Sequence, residues 1–192
     1  MIGRALLVSF LLACASTRSS TTIEQSWRAP HAEQRPRNVV TLYSSRDGSV
    51  RRTLEDKMAY KLRRGGIAAT PSYAVVETDL RDPRQMRDEL LAHGYDGVVA
   101  IRPVGESPEA VTAMTVDHGG DPPPVAATTD FGFVGVIARL EVEVYSLPED
   151  RLVYTAMSKT IDPDGISTVI DEVTTLVARE IDRQGVFVAT LR

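Results

Sequence analysis

Cysteine is nearly absent from this chain: the only one is Cys14. A single thiol excludes any disulfide within the chain and any thiolate metal cluster. Histidine is almost as scarce, and His31, His93 and His118 show no metal-ligand spacing. Aromatic residues are 6% and do not interleave with basic clusters, so there is no stacking platform for nucleic-acid bases. A surplus of positive charge is also missing, since 22 basic against 26 acidic residues leave −4. That balance argues against non-specific nucleic-acid binding and against a broad electrostatic grip on anionic lipid. The chain has no phosphate-cradling G-x-x-x-x-G-K, no dinucleotide fingerprint after its first strand and no G-x-S-x-G turn. The sequence therefore leads us to expect no cofactor, no metal and no enzymatic activity.

What is present is an ordinary globular composition, 43% hydrophobic and 25% charged. A length of 192 residues suits one domain with an end segment to spare. That end segment is the amino terminus. Arg4 supplies a short positive stretch, and Ala5 to Leu12 is an apolar run of eight. Eight residues fit the core of a signal peptide and fall far short of the roughly 20 that a membrane-spanning helix needs. The words that follow, Leu11-Leu12-Ala13-Cys14, resemble the lipobox of bacterial lipoproteins. The resemblance implies cleavage between Ala13 and Cys14 and fatty acylation of Cys14 by palmitate-type chains. One acyl chain binds a membrane marginally, whereas two or more anchor it stably. Residues 1–13 are thus expected to be a lipoprotein signal peptide. Losing Arg4 leaves 21 basic against 26 acidic residues, or −5. Ala15 stands where an acidic residue is absent, and the resemblance to enteric lipoproteins then implies sorting to the outer membrane with the protein on its periplasmic face. Retention at the inner membrane is the alternative.

Residues 14–36 read as the lipidated terminus and a flexible tether, because residues 15–36 are rich in Ser, Thr, Arg, Gln and Pro without an apolar period. A coil of about 22 residues spans roughly 25 Å. Trp27, the only tryptophan, is expected to dock on the domain, with an exposed partner anchor as the sharper alternative. Residues 37–192 read as a single α/β domain. Val39 to Tyr43 predicts a strand. Val50, Leu54, Met58 and Leu62 recur at helical spacing, and Gly65-Gly66 closes that helix. Tyr73 to Val76 predicts a second strand. Asp82-Pro83-Arg84-Gln85 opens a second helix, which Gly94 ends. Val98 to Ile101 reads as a strand buried on both faces. Residues 105–130 are an aperiodic loop with Gly119-Gly120 and Pro122-Pro123-Pro124. Phe131 to Leu147 alternates as a long strand, Pro148-Glu149-Asp150 turns it, and Arg151 to Ile161 returns antiparallel. Asp162-Pro163 is expected to open a last helix with the stripe Ile166, Val169, Ile170, Val173, Val177 and Ile181. Gly185 caps it, and Val186 to Leu191 predicts a final strand. The expected order is β-α-β-α-β-β-β-α-β, a mixed sheet with helices packed on it.

This order behind a lipobox resembles periplasmic lipoproteins whose domain is similar to the N-terminal domain of TolB and to LpoB. Local words also resemble an uncharacterised family of bacterial lipoproteins. They are Trp27 with Pro30, Arg51-Arg52 with Glu55, Gly66 before Pro71-Ser72-Tyr73, and Gly94-Tyr95-Asp96-Gly97 before a buried strand. The resemblance implies a non-enzymatic protein. LpoB-like proteins activate a peptidoglycan synthase by contact, and TolB works within an envelope assembly.

The candidate partner contacts are Trp27, Arg52, Glu55, Tyr73, Glu141 and Glu143. Each also has a plainer reading. Arg51 and Glu55 are four apart on a helix and most simply form a surface ion pair, while Arg52 and Glu55 are alternatively placed to hold neighbouring loops. Glu141 and Glu143 share one strand face, which usually meets solvent and otherwise meets a basic partner. Ser72 has no visible base, His93 suits a helix C-terminus, and Asp117 to Asp121 suits a solvated turn. Three functional readings follow in order: a lipid-anchored protein binding another envelope component through its sheet edge and the 105–130 loop; a periplasmic binder of a small ligand in an apolar cleft near Tyr73 and Tyr145; and a hydrolase whose Ser, His and acid meet only in three dimensions.

Overall fold

A computed structural model describes residues 19–30, 35–45, 47–76, 82–104, 137–161, 163 and 165–189. The first element already departs from expectation. Strand β1 (Ser20–Arg28) falls where composition predicts a flexible tether. It pairs antiparallel along β6 (Arg151–Ile161), from Ser20 opposite Ile161 to Arg28 opposite Tyr154, with a bulge between Ile23 and Gln25. What orders it is polar. Ser19 and Thr21 hydroxyls donate to the Glu172 carboxylate, and the Arg28 guanidinium donates to the Gln184 carbonyl at 2.6 Å. Such a strand leaves little hydrophobic alternation to read.

The next elements follow the sequence closely. β2 (Asn38–Tyr43) leads into α1 (Gly48–Arg64). Asp47 caps α1 by accepting from the amides of Ser49 and Val50 at 2.8 and 3.2 Å. Val50, Leu54, Met58 and Leu62 are all buried. β3 (Ala68–Pro71) comes earlier than the expected strand at Tyr73 to Val76. Ser72–Ala74 instead form one turn of 3₁₀ helix, because the Ser72 hydroxyl and the Tyr73 amide are drawn to Glu55. α2 (Pro83–Ala92) starts as predicted, with Asp82 accepting from Arg84 N at 2.9 Å. β4 (Gly97–Pro103) and β5 (Ile137–Ser146) follow, and β5 turns into β6.

The last helix, α3 (Ile166–Arg183), begins at Gly165 without a side-chain cap, later than the Asp162-Pro163 start that its sequence suggested. Asp162, the loop at 105–130 and the Phe131 end of the long strand lie outside the described residues. The expected strand at Val186 to Leu191 is not one over residues 186–189. Val186 and Phe187 are buried against the core, and the Val188 amide makes a single backbone bond to Pro36 O at 3.2 Å. β1 occupies the sheet edge beside β6.

The result is an α/β domain with a mixed six-stranded sheet, ordered β1-β6-β5-β4-β2-β3, and three helices. β2, β3 and β4 are parallel, while β5, β6 and β1 continue antiparallel. α1 and α3 cover one face, where Val39, Tyr43, Val99, Ile101, Leu140, Val142, Val144 and Tyr154 form the main core. α2 covers the other face only over β2 and β4, through Val40, Val98 and Leu90. The β2-to-β3 and β3-to-β4 crossovers run in opposite directions on opposite faces, so they share one hand. Gly97 starts β4 where Pro36 crosses it, and a Cβ there would stand 2.7 Å from Pro36 Cβ. These strand directions gather the ends of β2, β3, β4 and β6 and the starts of β1 and β5 at one end of the sheet, called here the Ser20 end.

Candidate functional site

The six candidate residues divide into two groups on different halves of the molecule. Arg52, Glu55 and Tyr73 belong to the β3 side of the sheet. Trp27, Glu141 and Glu143 belong to the β1 side. The two edges are about 24 Å apart, from five gaps of about 4.8 Å.

Glu55 is not on the surface as an ordinary i, i+4 pair would be; its exposure is 0%. One carboxylate oxygen accepts from the Tyr43 amide at 3.0 Å and lies 3.9 Å from Arg51 Nε. The other accepts from Ser72 Oγ at 2.9 Å and from the Tyr73 amide at 3.5 Å. The backbone carbonyl of Glu55 accepts from Thr41 Oγ1 at 3.0 Å. A single side chain therefore ties the end of β2 to the turn after β3. Its oxygens are occupied by its own chain, which makes it a structural clamp. Arg52 stacks over the Tyr73 ring at 5.3 Å, and the Tyr73 hydroxyl donates to Asp56. That hydrogen bond to a carboxylate raises the Tyr73 pKa above its ordinary value, with lesser help from desolvation. Arg52 and Glu55 do hold neighbouring loops, as the alternative reading of that pair proposed.

The other group sits on the face of β5, β6 and β1 that points away from α3 and that no described helix covers. Trp27 is held on the domain by β1, opposite Thr155, and remains 49% exposed. It heads a cross-strand row through Thr155, Glu143 and Ala100, beside a row of Gln25, Met157, Glu141 and Arg102. The two glutamates are not simply solvated. Arg102 lies 2.6 Å from Glu141 and 3.8 Å from Glu143, and the Tyr145 hydroxyl donates to Glu143 at 3.2 Å. The bond to Glu141 lifts the Arg102 pKa further. Desolvation first, then the Glu143 charge, raises that of Tyr145. Nearer the Ser20 end, Glu24 pairs with Arg139 at 3.3 Å and with Lys159 at 3.8 Å. This face carries aromatic and thioether surface between ion pairs that neutralise one another.

Where that open face meets α2 there is a cleft of about 430 Å³. Leu42, Met86, Leu90, Val98 and Ala100 line its apolar part, Tyr145 one wall, and Arg84 and Arg87 also border it. The expected cleft near Tyr145 is therefore present, and Tyr73 does not line it.

No family model matches the chain, and no curated protein does. Among solved structures, it is similar to the PelC dodecamer from Paraburkholderia phytofirmans at 13% identity and a TM-score of 0.47, over 86% of this chain and 96% of that one. It is similar to the lipoprotein GNA1162 from Neisseria meningitidis at 12% identity and a TM-score of 0.43, over 77% and 99%. It is also similar to TolB from Acinetobacter baumannii at 12% identity and a TM-score of 0.43, over 88% of this chain and 32% of that one.

Cys14, Ala13, His31 and His118 lie outside the described residues. Among the described residues no three His, Cys, Asp or Glu side chains gather at metal-binding spacing. His93, at the end of α2, has Nδ1 2.8 Å from Glu89 O, and Ser72 donates to Glu55, so these two are not brought together. Arg102 and Met157 are the site residues that sequence reasoning missed. Arg102 had a signal, as the first charge after the apolar run of β4. Its partner was unreadable until β4 and β5 were placed in register.

Proposed function

We propose that this chain is a lipid-anchored, non-enzymatic lipoprotein that binds another component of the bacterial envelope. The anchor is acylated Cys14, and the location is the periplasmic face of the outer membrane. The binding surface is the open face of β5, β6 and β1. The observation that carries the reading is Trp27, a large aromatic side chain half-exposed on a sheet face whose charges are already paired. Indole surface at the centre of a contact is the kind of group that dominates binding energy, and neutralised ion pairs around it form a polar rim. A photo-crosslinking amino acid at position 27, in cells, should capture an envelope protein. The same probe at Tyr60, an aromatic 47% exposed on α1, should not. Equal yields from both positions, or none from position 27, would count against the reading. The anchor is tested separately: Cys14→Ala should abolish incorporation of a fatty-acid probe.

The cleft beside Tyr145 favours a second reading, a binder of a small apolar ligand. Its volume lies within the range of small-molecule sites, and its lining surface is mainly apolar with Arg84, Arg87 and Asp150 among its lining residues. Ala100→Trp would fill it. If an apolar fluorescent dye binds the native protein and this variant equally, the cleft is not the site.

A further inference from the structure

The open face includes two apolar side chains at its extreme end. Ile137 opens β5 and Ile161 closes β6; they are cross-strand partners, exposed at 43% and 40%. The next residue in that row is Ser20, the first of β1. Ser19, one residue earlier, is fastened to Glu172 of α3. Cys14 is only five residues before Ser19. Five extended residues reach at most about 18 Å, so any lipid on Cys14 keeps the Ser20 end against its membrane. A coil of about 22 residues would have left the domain free to turn. The strand starting at Ser20 removes most of that freedom. Behind the isoleucines, Arg139 and Lys159 share the one carboxylate of Glu24 and leave a single net positive charge, so the apolar pair carries the contact and a neutral lipid surface is enough for it.

We infer that the Ser20 end of the sheet is a membrane-resting surface, with Ile137 and Ile161 seated in the headgroup boundary of the bilayer that holds the anchor. The inference rests on acylation of Cys14. Trp27 lies seven residues further along β1, about 24 Å from that end at about 3.4 Å per residue. It is therefore presented away from the bilayer.

Acylation consumes the only native thiol, so Ile161→Cys supplies a unique labelling site; Ile137→Cys serves equally if the first variant folds poorly. The acylated protein, carrying a polarity-sensitive dye at position 161, is placed in phosphatidylcholine vesicles with brominated acyl chains. The dye should lose about half or more of its emission, since a side chain about 5–10 Å into the boundary meets those chains. Trp27 fluorescence in the unlabelled protein should not change. Quenching of both groups would show a sheet lying flat and overturn the end-on placement. An unquenched dye on protein with acylated Cys14 would overturn the resting surface and leave the anchor standing. A free thiol at Cys14 in protein from the native membrane would overturn the anchor, and the resting surface with it.

Discussion

Glu55 and Glu141 are both glutamates on regular elements with an arginine nearby, and they sit in two different kinds of environment. Glu55 is in the half of the molecule where helices cover both faces of β2 and β4. There a carboxylate must find its partners inside the chain, and it takes two backbone amides and a serine hydroxyl. Glu141 is in the half where α3 covers one face and the other is open. It faces Arg102, whose side chain is largely in solvent. Burial turns the first into a clamp, and exposure leaves the second as part of a surface. The buried polar clamp is therefore on the β3 side, and the exposed paired charges are on the β1 side.

The widest gap between the halves should appear on cutting each glutamate back. Glu55→Ala leaves a buried amide, a buried hydroxyl and Arg51 without their carboxylate, and should lose about 3–5 kcal/mol in urea unfolding. Glu141→Ala should lose less than about 1 kcal/mol. Equal losses would erase the distinction. Gly97→Ala probes the start of β4, between the halves. Its Cβ would be driven into Pro36, and about 1–3 kcal/mol should go.

Acid should act more weakly, through the outer surface of α3. The hydrogen bond from Lys57 holds Asp171 below its ordinary 3.8, and that from Arg183 holds Glu180 below its ordinary 4.5. Carboxylates lowered in this way stabilise fully above those values and lose that contribution as pH falls through the lower folded ones. The urea midpoint should drop as the pH falls below about 4.5, and Lys57→Ala with Arg183→Ala should flatten the slope. The smallest change is expected at Tyr154, whose buried hydroxyl has no partner among the described residues. Tyr154→Phe removes an unmet polar group and should leave stability equal or raise it by up to about 1 kcal/mol. A clear loss would reveal a hidden partner for that hydroxyl.

The doubly covered half was legible because its physics writes itself as pattern. Val98 to Ile101 is unbroken because both of its faces are buried. The α1 and α3 stripes recur at helical spacing because one side of each helix is. The open half was less so. β1 is ordered by Ser19, Thr21 and Arg28 reaching α3, and polar reach of that kind looks like a linker in sequence. Glu55 was singled out, but its depth was not readable, since the amides it binds come from Tyr43 and Tyr73 on separate segments. Val186 and Phe187 have strand composition yet serve as a plug. Of the candidate surface, Glu141 and Glu143 were found as a pair on one strand face and Trp27 separately; only the register puts them with Arg102 and Met157 on one face.

The pairing of β1 with β6 also sets an order in time. Thr21 and Thr160 touch although they stand 139 positions apart in the chain. The strand made first cannot be seated until the strand made nearly last has arrived. Through most of its synthesis, the segment that becomes β1 has no partner strand to pair with. Once β6 emerges, the same stretch is zipped shut.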